Sequence, residues 1–212
     1  PPVPVLMTIG WWDNCSPWQW ADHRELQRRP GWRASEYLLL EAIDHENHSH
    51  FELPDLQSPA ESPDVLRRLL HPAVEFFEVF LRDVVSDIPR VRWQLANSGD
   101  PAFRVSDCWP PEGVADLRLH LGFDEERADV GRLAADVGPP GEAVWTHDPQ
   151  DLVPSPVSDS FAFLAEYPDE SPRMGRSDVL HFVGTALGQD LDLVGPVALH
   201  AHVGSDGTEF DV

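Results

Sequence analysis

The sequence predicts an α+β domain in which helices cover one face of a mostly antiparallel sheet. Three observations carry this: a strongly periodic helix over residues 73–85, three alternating segments between 90 and 123 that read as a meander, and an alternating run over 194–203. The 212 residues suit one acidic domain spanning 1–212, since the 21 prolines are scattered and no linker stands out.

Residues 1–12 read as an extended segment. Ser16 is placed to cap a helix, with Pro17 at its first position and Gln19 in the capping-box position, and Pro30 and Gly31 end it after Arg29. Tyr37 to Ile43 is a short continuous apolar run that fits a buried strand or a short helix; composition leans helical over 34–44 and extended over 48–53. Ser62 caps a short helix that His71-Pro72 restarts. From Ala73 to Val85, Val74, Phe77, Phe80, Leu81, Val84 and Val85 recur at helical spacing.

Val91, Trp93 and Leu95 alternate with Arg90, Arg92 and Gln94. Asn97 to Pro101 is a turn, and Phe103 and Val105 continue as the second arm of a hairpin. Val114 to Phe123 supplies the third strand of the meander. Asp124 opens a helix through Val137, Ser177 caps another from Asp178 to Leu187, and Val194 to Val203 is the C-terminal strand.

Charge narrows the function classes. There are 37 acidic residues against 15 basic ones, all of them Arg, for a formal net charge of -22. Such a field repels nucleic-acid phosphates and anionic membrane surfaces and favours a basic partner. No apolar run approaches the roughly 20 residues that span a bilayer, and PPVPVLMTIG lacks the charged start of a signal peptide, so cytoplasmic location is the default expectation. Cys15 and Cys108 are too few for a disulfide scaffold and lie outside any Cys-x-x-Cys motif. Neither a Walker motif nor a dinucleotide fingerprint is present, and Gly-x-Ser-x-Gly is missing too.

Two residue groups remain as candidate sites. Read as strands, residues 48–52 put His48, His50 and Glu52 on one face, and VALHAHV puts His200 and His202 on another. Imidazoles joined by a carboxylate are the donor set of many zinc and non-haem iron centres, so these five residues predict a divalent metal site, with Asp44, His45 and Glu46 close by in sequence. Trp11, Trp12, Trp18, Trp20 and Trp32 crowd one region and predict an aromatic binding wall. The function expected from bulk properties is an interaction module that binds a basic protein, as an immunity protein or inhibitor does, or a component of an assembly. The alternative is a small metal-dependent enzyme built on the two His-x-His strands.

Overall fold

The computed structural model describes residues 1–49, 63–82, 84–85, 87–96, 99–123, 131–157 and 169–207. The expected His50, Glu52 and Ser62 lie outside them, as do residues 124–130 of the expected helix.

The chain folds as α+β with two helices and two mixed sheets, not as one antiparallel meander. In the larger sheet, β1 (Val5–Trp12), β2 (Glu36–Asp44), β3 (Val91–Trp93) and β4 (Arg104–Ser106) lie side by side in that order. The first three run parallel, and only β4 is antiparallel. Helix α1 (Ser16–Arg28) joins β1 to β2, and α2 (Pro63–Arg82) precedes β3.

The parallel arrangement explains why Tyr37 to Ile43 shows no alternation. A strand inside a parallel sheet is covered on both faces, so its sequence is continuously apolar. On one face Leu38 and Leu40 join Ile9, Val91 and Trp93 in the buried core, with Trp11, Trp20, Trp109 and Val194 packed against it. On the other face Tyr37 meets Phe76 and Phe80 of α2 at ring-centroid distances of 5.6 and 5.3 Å. The lean towards helix over 34–44 is therefore corrected: backbone pairing on both sides of β2 overrides residue propensity.

α2 is one uninterrupted helix, with Pro72 inside it, where the sequence predicted two pieces. The 90–107 hairpin is present as β3 and β4, but its expected third strand leaves for the second sheet. There β5 (His120–Phe123) and β6 (Gly131–Ala134) pair antiparallel, and β6 pairs parallel with β7 (Phe182–Gly184). Residues 131–134 and 182–184 are thus strands where the sequence predicted helices. Ring packing fixes them: Phe123 and Phe182 meet edge to face, and a Cβ on Gly131 would lie 2.2 Å from the Phe182 ring, so only glycine admits that ring. Residues 194–203 form no strand, because no backbone among the described residues pairs with them. Among the described residues no helix is long and apolar enough to cross a membrane.

Candidate active site

In open sheets with parallel strands, ligands and catalytic groups gather at the carboxyl ends of the strands. Asp13 follows the last residue of β1, and His45 follows the last residue of β2. Because these strands are neighbours, the two side chains meet: His45 Nδ1 lies 2.8 Å from Asp13 Oδ1. A carboxylate only accepts, so the imidazole donates from Nδ1, and Nε2 is the ring nitrogen left without a bond to Asp13.

The local backbone holds each partner. The register between β1 and β2 shifts between Gly10 and Trp12, and a bulge of this kind re-aims the residues beyond it. A Cβ on Gly10 would lie 2.9 Å from the Ile43 carbonyl oxygen, so glycine is what permits the close approach. Asp13 Oδ1 also accepts the Cys15 backbone N–H at 2.8 Å, which fixes the carboxylate as the chain turns into α1.

His45 sits in a tight turn built on Asp44. The Asp44 carboxylate is fully buried and accepts from the His48 backbone N–H at 2.9 Å and from His48 Nδ1 at 3.0 Å. Asn47 closes the turn with φ of 65°, a left-handed conformation that Asn tolerates, and the Arg68 guanidinium of α2 donates to its carbonyl. Asp13 is 17% exposed and His45 41%, so the pair stands at the surface.

Three further ionisable groups, His23, Glu36 and Glu41, are buried against the sheet. His23 and Glu36 form a buried pair at 3.0 Å, with Gln27 donating to the same carboxylate, but this pair sits at the amino end of β2 and ties α1 to the sheet. Glu41 is buried on the α2 side. Burial pushes its carboxyl above the ordinary value, against the opposing pull of Arg68 and then Arg92.

The expected sites fare differently. His48 is consumed by Asp44 as a turn clamp. His200 and His202 lie on irregular, exposed backbone and not on a strand. Among the described residues, the group of three or more potential ligands brought together is Asp13, Cys15 and His45, and none of His48, His200 and His202 belongs to it. The tryptophans divide: Trp11 and Trp20 stack at 6.2 Å, both pack against Trp109, and both lie half-buried against the core. Trp12 and Trp32 are half-buried, and only Trp18 is broadly exposed. Sequence reasoning missed Asp13 altogether and named His45 only as a neighbour of the histidine cluster. The signal was an Asp and a His each placed one residue past an apolar strand.

Residues 83–212 match the family model of the X-Pro dipeptidyl-peptidase C-terminal non-catalytic domain. Among solved structures, an aminopeptidase from the marine sediment archaeon Thaumarchaeota archaeon is similar, with a TM-score of 0.54 and 22% identity. The match covers 84% of this chain and 30% of that one, so the chain spans well under half of that aminopeptidase's length. No curated protein matches. The chain belongs to the family of the X-Pro dipeptidyl-peptidase C-terminal non-catalytic domain.

Proposed function

We propose that this member of the family is part of a serine-type peptide hydrolase: residues 1–49 carry the acid–base half of its catalytic triad, and residues 83–212 form the accompanying non-catalytic domain. The observation that carries the reading is the 2.8 Å hydrogen bond between Asp13 and His45 at the carboxyl ends of two adjacent parallel strands. In α/β-hydrolases the triad follows the chain order serine, acid, histidine. Asp13 precedes His45, which agrees with that order. Residues 1–12 contain no serine, so the reading requires a nucleophile from sequence ahead of residue 1.

The chemistry then follows from the geometry. His45 Nε2 accepts the serine proton as the serine oxygen attacks the scissile carbonyl carbon, and the Nδ1–H bond to Asp13 stabilises the imidazolium that forms. The same Nε2–H is delivered to the leaving amine. Water repeats the sequence on the acyl-enzyme and restores the serine. The family description supports N-terminal X-Pro dipeptides as the substrate class. The non-catalytic part is joined to the acid–base part by the sheet itself, because β3 lies within residues 83–212 yet hydrogen-bonds onto β2, with β4 paired to β3 on its far side.

The test is hydrolysis of an X-Pro nitroanilide by the protein that carries this chain together with its serine. Asp13→Asn is expected to lower kcat by about 10⁴-fold, and His45→Ala by a similar factor. His200→Ala should leave the rate unchanged. Activity surviving His45→Ala would overturn the assignment.

A further inference from the structure

Cys15 has no part in the relay, yet it stands beside it. One ligand atom each from Asp13, Cys15 and His45 lie within 4.8 Å of one another, Asp13 and Cys15 half-buried and His45 exposed. The thiol's recorded contact is a long one, 3.9 Å to Asn14 Oδ1, so little holds it away from another partner. We infer that these three residues form a binding site for a thiophilic divalent cation of the zinc class, which competes with the hydrogen bond between Asp13 and His45.

The donor set is what such an ion takes: a thiolate, an imidazole nitrogen and a carboxylate oxygen, with a fourth position left to water. Around a tetrahedral ion at about 2.0–2.1 Å from each, a nitrogen and an oxygen sit roughly 3.3 Å apart. Asp13 Oδ1 and His45 Nδ1 are 2.8 Å apart, so the ion parts them slightly while drawing the sulfur in. An exposed imidazole on a turn and a thiol at the first turn of α1 accommodate this without moving a strand. On binding, the Cys15 thiol gives one proton to solvent and the Sγ–metal bond forms. The His45 proton moves from Nδ1 to Nε2, and Nδ1 takes the metal.

The binding stands on this geometry alone. Its consequence, inhibition, rests on the hydrolase reading: an imidazole ligated at Nδ1 and protonated at Nε2 cannot accept the serine proton.

The experiment is titration of the 212-residue protein with Co²⁺ followed by Zn²⁺, read in the near-ultraviolet sulfur-to-cobalt charge-transfer band. The band is expected in the wild type and in Cys108→Ser, is lost in Cys15→Ser and weakened in His45→Ala, and is displaced by zinc. No band, or a band that survives Cys15→Ser or vanishes with Cys108→Ser, overturns the site. Circular dichroism of each variant separates a lost ligand from a lost fold, and zinc-dependent shifts of the His45 ring resonances in wild-type protein give an independent reading. A protein that binds cobalt through Cys15 but has no X-Pro hydrolase activity when its serine is present supports the site and removes only the hydrolase reading.

Discussion

The stretch from β1 to β3 and the stretch after β4 are built on different terms. The buried apolar residues of the described structure all fall between Ile9 and Trp93. There, strands of eight and nine residues pair in parallel, and packing covers both faces of β2. After β4, strands have three or four residues, much of the chain is irregular, and large apolar side chains such as Leu187, Val197 and Leu199 face solvent. The comparison teaches where position is held most firmly. The proposed acid–base pair is presented by the densely packed half, where neighbouring strands fix both residues, and the sparsely packed half falls wholly within residues 83–212, which match the family's non-catalytic domain.

Truncating the core tests this contrast most strongly. Leu40 is 0% exposed at the centre of β2, and Leu40→Ala should cost about 2–5 kcal/mol in denaturant unfolding because it leaves a cavity between packed layers. Leu199 is 58% exposed, and Leu199→Ala should stay within about 0.5 kcal/mol of wild type. Equal losses at the two positions would erase the distinction between the halves.

A smaller effect is expected from adding a methyl group. Gly10→Ala drives a Cβ against the Ile43 carbonyl and, at 3.1 Å, against the Cβ of Asp13, so it should cost about 1–3 kcal/mol and disturb the relay. At Gly204, in the sparser half, no described residue lies within 4 Å of the added carbon, and Gly204→Ala should be nearly silent in denaturant unfolding.

The smallest effect is a slope with pH. Burial raises the folded-state carboxyl of Glu41 above its ordinary 4.5, chiefly by desolvation. Below that value both folded and unfolded chains hold the proton, and the burial is not penalised. As pH rises past it the unfolded chain ionises first, and stability falls until the folded group ionises too. Urea midpoints measured across this range should fall less steeply for Glu41→Gln than for wild type; identical slopes would contradict the assignment of that loss to Glu41.

Local patterns carried the first half of the fold and little of the second. Val74, Phe77, Phe80 and Leu81 announced α2 by their spacing, and the Asn97 to Pro101 turn announced the hairpin of β3 and β4. Parallel pairing was not legible, because β1 and β2 are joined across α1 and their register depends on contacts far apart in sequence. The same reason hid β6 and β7: Gly131 to Ala134 and Phe182 to Gly184 are too short to show a period, and it is pairing across the sheet, β6 with β5 and β7, that makes them strands. The His-x-His pattern assumed a C-terminal strand over 194–203, where the described backbone is irregular, and its His50 and Glu52 lie outside the described residues. Asp13 and His45 are 32 positions apart, and they become a pair only once two strand ends are placed side by side.

In the proposed hydrolase, Asp13 orients His45 as the base that relays the serine proton. Long-range ¹H–¹⁵N correlation of the histidine rings at alkaline pH reads this directly in the 212-residue protein. The prediction is an Nδ1–H tautomer for His45 in the wild type and a loss of that preference in Asp13→Ala, which removes the oxygen that accepts from Nδ1. An Nε2–H tautomer in the wild type, or an Nδ1–H preference unchanged in Asp13→Ala, would contradict it.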